Sequence, residues 1–369
     1  MVCPYSLSRP GGVQGQAVGL AASLRQLGHE VVVIAPDSTQ ARGYRESMDQ
    51  ATYIVGGAVN VSSNGSVAPV SISPLAARRV SRFVRNRRFD VAHLHEPLAP
   101  VAGYGLLMKP PVALVGTFHR AGASGWYRLL KPITKLLADH LEVRCAVSNA
   151  AESTAREALG GEYEVLFNGV DIERFEKAIP YESSQPSILF LGRHEPRKGL
   201  EVLLEAFSER RESAVLWVAG NGPLTDSLMR RFPESSRIKW LGSLTGDEVA
   251  SRLAGADVLC APSLGGESFG MVLVEAMASK CSVVASDIPG YRLAASRYAR
   301  LVEPGNSHAL AHALAIAIEE IRTRSGRSSA ETLLEAKRHA AKWSMDRLAS
   351  EYVRIYSMAI ERFDLVRSR

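Results

Sequence analysis

The sequence has no long hydrophobic run. Its apolar stretches, such as Val31-Val32-Val33-Ile34-Ala35, stop far short of the roughly 18 residues a membrane-spanning helix needs. The opening Met1-Val2-Cys3-Pro4-Tyr5 lacks the charged and apolar regions of a secretory signal, which predicts a cytoplasmic chain. Cysteine is scarce. The four, at positions 3, 145, 260 and 281, have no metal-ligand spacing, and three lie in apolar runs. Buried free thiols are therefore expected, rather than a disulfide framework or a zinc site. A three-glycine dinucleotide fingerprint is absent, which argues against hydride transfer. No Asp-x-Asp pair occurs, so that way of holding a divalent ion is missing. Charge of one sign is not in large excess. The formal net charge of +6 permits contact with an anionic surface and is weak evidence for nucleic acid.

What the chain does have is 369 residues of globular composition, enough for two domains with separate cores. Short β-branched runs alternate with stretches of helical period. Runs at 1–3, 31–35, 91–94, 112–118, 143–147 and 164–167 read as strands, and after Pro186 the rhythm restarts at 188–191, 215–219, 238–241, 258–260 and 283–285. Continuous apolar strands separated by helices imply parallel sheets covered on both faces. The polar, proline-flanked stretch 179–186 reads as a linker. The expected division is an N-terminal domain over 1–178 and a second domain over 179–343. From Ser344 the tail is helical by pattern, with Leu348, Tyr352, Ile355, Tyr356 and Ala359 on one side. Two doubly wound domains of this type would face one another across a central cleft. Ligands bind beyond the carboxyl ends of such strands, so the residues following strands are the candidates for chemistry.

Three such segments stand out. Pro10-Gly11-Gly12-Val13 lies between a first strand and a first helix, where glycines admit a close ligand and the helix start offers N–H groups to an anion. Alone, a Gly-Gly turn is as often structural. Gly192-Arg193-His194-Glu195-Pro196-Arg197-Lys198-Gly199 places Arg193 and Lys198 where they could neutralise a diphosphate, or could form a solvated basic turn. The most informative segment, Gly266-Glu267-Ser268-Phe269-Gly270-Met271-Val272-Leu273-Val274-Glu275, runs from a glycine turn into an apolar helix. A carboxylate inside so apolar a helix costs several kcal/mol unless it is paired or hydrogen-bonded. Carboxylates accept hydrogen bonds from vicinal hydroxyls, as sugars present them, and the N–H groups of Phe269, Gly270 and Met271 suit a phosphate.

The Glu-x7-Glu block, with Gly-Arg-x-x-x-Arg-Lys-Gly upstream and Pro-Gly-Gly-Val near the start, resembles the retaining glycosyltransferases of family 4, which have the GT-B fold. Within them the chain is most similar to the actinobacterial phosphatidyl-myo-inositol mannosyltransferases, through Val2-Cys3-Pro4-Tyr5-Ser6, Asn64-Gly65-Ser66-Val67-Ala68, His93-Leu94-His95-Glu96-Pro97 and Gly265-Gly266-Glu267-Ser268-Phe269-Gly270. The resemblance covers nearly the whole chain. It implies that Gly12, Arg193 and Lys198 bind the donor diphosphate and that Glu275 holds the nucleotide ribose. Glu267, with the backbone of Phe269, Gly270 and Met271, would hold the transferred sugar. His119 and Glu267 would be the catalytic residues, with His119 stabilising charge near the anomeric carbon. Tyr5, Gln14, Asn64 and Arg120 would meet the acceptor, and the helix over 344–369 would cross back to the first domain. Pro69 and Ser124 stand where the subgroup carries basic residues, and Arg120 replaces a small hydroxyl residue.

Residues 75–88 carry arginines at 78, 79, 82, 85, 87 and 88, with Val80, Phe83 and Val84 at helical spacing. Two readings fit this segment: a solvated helix face, or an interfacial helix in which Arg78, Arg79, Arg82 and Arg85 meet anionic lipid. The basic, partly aromatic stretch through Trp126, Tyr127, Arg128, Lys131 and Lys135 favours a membrane-surface acceptor. The expected activity is metal-independent, cofactor-free transfer of mannose from GDP-mannose to the inositol of phosphatidylinositol. Transfer would take place at the inner face of the cell membrane, with no nucleic-acid partner. Rival readings are a family 4 enzyme with another donor or a soluble acceptor such as inositol phosphate, and a nucleotide-sugar-binding protein without turnover.

Overall fold

The parallel strands and their crossovers sort into two units, one of Met1–Gly169 with Met345–Arg369 and the other of Val170–Ser344. The structure, a computed structural model, describes all residues except 9–10, 38–42, 47–50, 64–65, 72, 100–102, 121–130, 210–212 and 369.

In the first unit the chain's first residues form the joint of the sheet. Val2 bridges Ile34 on one side and Leu94 on the other. It thereby links the strands Val32–Ala35, Ala51–Ile54 and Gly43–Glu46 to the run Val91–His95, Ala113–Phe118, Val143–Ala146 and Glu164–Val165. All of these pairings are parallel except Gly43–Glu46 against Ala51–Ile54. The hairpin of Val59–Ser63 and Ser66–Val70 attaches through an antiparallel bridge from Tyr5 to Val70. Every residue of Val32–Ala35 and of Ala113–Phe118 is buried, as strands covered on both faces must be. One face packs on Ala76, Val80 and Val84 of the helix Pro74–Asn86. The other packs on Leu20 and Leu24 of the helix Gly12–Gln26 and on Leu348, Tyr352 and Ile355 of the helix Met345–Arg367.

The second unit holds six parallel strands in the order Ile238–Gly242, Val215–Ala219, Ser187–Leu191, Val258–Ala261, Ser282–Ser286, Ala299–Val302. Numbered along the unit this is 3-2-1-4-5-6, the doubly wound arrangement. All four cysteines are free and buried.

The observed division differs from the expected one. It falls at Gly169/Val170 rather than at 178/179, and at Ser344/Met345. Val170, Ile172 and Phe175 are buried in the core of the second unit, which pulls the segment before residue 179 into it. The stretch 179–186 is a loop fastened to that unit. Tyr181 N–H donates to Ser251 O at 3.0 Å, and the Arg252 guanidinium lies 3.4 Å from the centre of the Tyr181 ring. At the true crossing, the Gln16 amide clamps Gly169, donating to its carbonyl at 2.7 Å and accepting from its N–H at 2.8 Å.

Candidate active site

In the second unit the strand order reverses between Ser187–Leu191 and Val258–Ala261, so the helices that follow these two strands lie on opposite faces of the sheet and their connecting loops meet at the strands' carboxyl ends. Both loops carry charge into that place. From the first, Lys198 Nζ lies 2.6 Å and Arg197 Nη1 2.9 Å from Glu267 Oε1 of the second. Glu195, buried, sits between Arg193 and Arg197, with Nε atoms at 3.0 and 3.1 Å from its two oxygens. Three cations and two carboxylates thus form one network with a net positive charge. Partly exposed pairs of this kind contribute little to stability. Their effect is to hold the three cationic groups in fixed places beside the carboxyl ends of the strands.

The loops can approach only because Gly199 has no side chain. Its φ is +68°, and a Cβ there would lie 2.0 Å from Pro262 O. Leu264 N–H donates to Arg197 O at 2.8 Å across the same contact. Gly199→Ala is therefore expected to destabilise the unit by about 2 kcal/mol or more, seen as a lower urea midpoint.

Past Glu267 the chain enters the helix Met271–Ala278 through Gly270, whose φ of +100° and whose packing against the Tyr291 ring exclude a Cβ. Phe269 is buried, its ring meeting that of Trp343 edge-on at 4.8 Å between centroids. Glu275 lies on the first turns of this helix. Its carboxylate makes no hydrogen bond or ion pair among the described residues, and burial raises its pKa to about 7, opposed only by the charge of Arg174. A half-buried carboxylate without a protein partner is a ready acceptor for ligand hydroxyls.

In the first unit, the carboxyl ends of Val91–His95 and Ala113–Phe118 carry a histidine cluster. His95 Nδ1 and His119 Nε2 are 3.0 Å apart, and His93 stacks on His95 with centroids at 4.4 Å. His93 is tied to Thr117 Oγ1 at 2.7 Å and to Tyr356 OH at 2.8 Å, and Thr117 in turn to Tyr352 OH at 2.8 Å, so the C-terminal helix braces these strands. Burial lowers the His119 pKa to about 4, leaving the ring neutral at pH 7. Glu96 Oε1 accepts from His119 N–H at 2.7 Å. Tyr5 lies within the electrostatic reach of Glu96 and Arg120. Burial first and Glu96 second raise its pKa, while Arg120 opposes them. Gln14 Nε2 donates to Ser6 O at 3.2 Å, and Gly12 is exposed as the first residue of its helix.

The expected residues thus fall into two groups. Arg193, Lys198, Glu267, Phe269, Gly270, Met271 and Glu275 gather in the second unit, and Tyr5, Gly12, Gln14, His119 and Arg120 lie in the first. Asn64, Ser124, Trp126, Tyr127 and Arg128 lie outside the described residues. Sequence reasoning missed Arg197 and Glu195 as network members, although the alternation of Arg193, Glu195 and Arg197 was a visible signal. It also gave no separate role to His95 and Glu96.

In the arginine-rich helix the apolar residues serve the core. Val80 and Val84 are core residues, and Phe83 stacks on Tyr53 with centroids at 4.0 Å, so the apolar stripe faces the protein. Arg79 Nη1 donates to Val55 O at 3.0 Å and is partly buried. Arg78, Arg82 and Arg85, spaced four and three apart, remain on the exposed face. Among the described residues, no helix is long and apolar enough to cross a membrane.

Two doubly wound units, one carrying a cation–carboxylate network at its switch point and the other a neutral histidine at its strand ends, define a GT-B glycosyltransferase. The fold matches a crystal structure of a glycosyltransferase from Rickettsia africae with a TM-score of 0.73, at 18% identity over 97% of each chain. It also matches sucrose-phosphate synthase from Thermosynechococcus elongatus with a TM-score of 0.72, at 19% identity over 94% of this chain and 93% of that one. In sequence, residues 10–174 match the domain described as Glycosyltransferase Family 4, and residues 185–320 the one described as Glycosyl transferases group 1. The phosphatidyl-myo-inositol mannosyltransferase of Mycolicibacterium smegmatis is 36% identical over 96% of this chain and 92% of its own length. The chain belongs to the family 4 glycosyltransferases.

Proposed function

We propose that the chain transfers mannose from GDP-mannose to the inositol ring of phosphatidylinositol, with retention of configuration and without a divalent metal, at the cytoplasmic face of the cell membrane. The similarity to the Mycolicibacterium smegmatis enzyme, spread over 96% of the chain, is the observation that carries this reading. The chemistry of the site supports it.

Breaking a glycosyl–phosphate bond builds positive charge on the sugar ring and negative charge on the departing diphosphate. Lys198, Arg197 and Arg193 supply preorganised positive charge for the leaving group, the part a divalent ion would otherwise play. To do so Lys198 and Arg197 exchange Glu267 for phosphate oxygens, which releases the Glu267 carboxylate to hold the sugar hydroxyls. Glu275 takes the ribose hydroxyls. His119, neutral at pH 7, adds no opposing positive charge beside the developing oxocarbenium character. Tyr5, Gln14 and Arg120 attend the acceptor, with Arg120 as the cation for its phosphate.

A donor screen by thermal shift checks the donor: GDP-mannose is expected to raise the melting temperature more than UDP-glucose or UDP-N-acetylglucosamine, and a larger shift with a UDP sugar would contradict the assignment. Membrane attachment has its own test. Basic residues near an anionic surface contribute about 1 kcal/mol each. Replacing Arg78, Arg82 and Arg85 by serine is therefore expected to weaken binding to phosphatidylinositol vesicles about 100-fold, with the melting temperature unchanged. Unaltered vesicle binding would remove this face from the account.

A further inference from the structure

His119 is held at two points by consecutive residues of the neighbouring strand end. Glu96 Oε1 accepts its main-chain N–H at 2.7 Å, while Glu96 N–H donates to Thr117 O at 2.8 Å. Glu96 keeps this position at a φ of +46°, a conformation a glutamate adopts only when its surroundings over-determine it. The second point is the ring itself, with 3.0 Å between His95 Nδ1 and His119 Nε2.

One proton is shared across that contact, and the other end of the His95 ring decides who owns it. His95 is 3% exposed, and its Nε2 has no hydrogen-bond partner among the described residues. An orphaned buried N–H is rarer than an orphaned acceptor. His95 therefore carries its proton on Nδ1 and donates it to His119 Nε2, leaving its own Nε2 as a bare acceptor. A neutral His119 whose Nε2 accepts must then hold its proton on Nδ1. That nitrogen makes no hydrogen bond among the described residues, and the His119 side chain is half-buried rather than sealed.

We infer that His95 is a positioning residue for His119: it orients the ring and fixes its tautomer, so that Nδ1–H is the one ring proton His119 can offer a ligand. The consequence for transfer rests on the reading of His119 given above, whereas the tautomer rests on the geometry of the His95–His119 pair together with the neutrality of the buried rings. The stack of His95 on His93, and the ties of His93 to Thr117 and Tyr356, hold the positioning ring in turn.

The test uses the full chain labelled with nitrogen-15 histidine, with His119 assigned by the signals lost in His119→Gln. The unaltered chain is expected to show His119 protonated at Nδ1. His95→Phe keeps the stacking ring but removes both nitrogens. It is expected to release His119 toward Nε2 protonation and to lower kcat on the order of 10- to 100-fold, with the donor KM within about twofold. His95→Asn, whose amide reaches the place of Nδ1, is expected to restore the tautomer and most of kcat. Protonation at Nε2 in the unaltered chain, or full kcat in His95→Phe, overturns the inference. If the unaltered chain makes no product from GDP-mannose and phosphatidylinositol, the proposed function fails instead, and the spectrum still decides the tautomer.

Discussion

Replacing Glu267 by alanine is expected to lower kcat/KM for transfer about 1,000-fold while GDP binds at least as tightly as to the unaltered chain. The two halves of this result have one cause. Glu267 stands 2.6 Å from Lys198 and 2.9 Å from Arg197, so in the free protein it competes with any diphosphate for those cations. Its removal ends the competition, leaves both cations to the phosphates and takes away the group assigned to the sugar hydroxyls. Steady-state transfer and calorimetric titration with GDP read the two separately. Full transfer would refute the role of Glu267, and GDP affinity that collapses with it would show the carboxylate to be structural.

Glu275→Gln is expected to stabilise the free protein at pH 8 and to weaken GDP-mannose binding at least about tenfold. Burial raises the folded-state pKa of Glu275 to about 7, above the unfolded value near 4.5. Between these two values the folded chain binds more protons than the unfolded one, so stability falls as pH rises from about 4.5 to about 7 and stays low above it. The full loss is up to about 3 kcal/mol at 1.36 kcal/mol per unit. An amide in that position has no charge to desolvate and removes the loss, but it accepts hydroxyl protons more weakly than a carboxylate. Urea melts across pH 5 to 8 check the first effect, the variant showing the flatter profile, and titration with GDP-mannose checks the second. A variant less stable than the original at pH 8 would mean that Glu275 has a partner in the folded chain.

Much of the fold is written in short apolar runs. Ile188–Leu191 and Val215–Ala219 are strands because continuous β-branched and aliphatic residues between helical stretches can only be buried on both faces. Other strands left no such trace. Gly43–Glu46 is polar and, among the described residues, pairs on one side only, and Ala299–Val302 carries Arg300, whose charge is met by Glu320 at 2.7 Å. The joint at Val2 was legible as the apolar stub 1–3, although it forms single bridges to Ile34 and Leu94 rather than a longer strand. The loop 179–186 misled for a physical reason: proline-flanked polar chain looks the same whether it spans two units or, like Tyr181 under Arg252, lies fastened to one.

The site was legible in part for the same kind of reason. A glutamate eight residues after another, inside an apolar helix, demands explanation from its desolvation cost alone, and Glu267 and Glu275 could be found that way. His119 could not, since a lone histidine after a strand carries no local signal; the family resemblance supplied it. The arginines of Pro74–Asn86 were visible, but which of them face solvent was not. That depends on Val80 and Val84 docking into the core and on Arg79 reaching the Val55 carbonyl.

The most direct measurement incubates the purified chain with mannose-labelled GDP-mannose and phosphatidylinositol vesicles in the presence of EDTA, then follows the label into the lipid phase. The expected product is a phosphatidylinositol carrying one mannose, formed with retained configuration and absent when the lipid is omitted. Label that stays with the nucleotide, or that passes only to a water-soluble acceptor such as inositol phosphate, would contradict it.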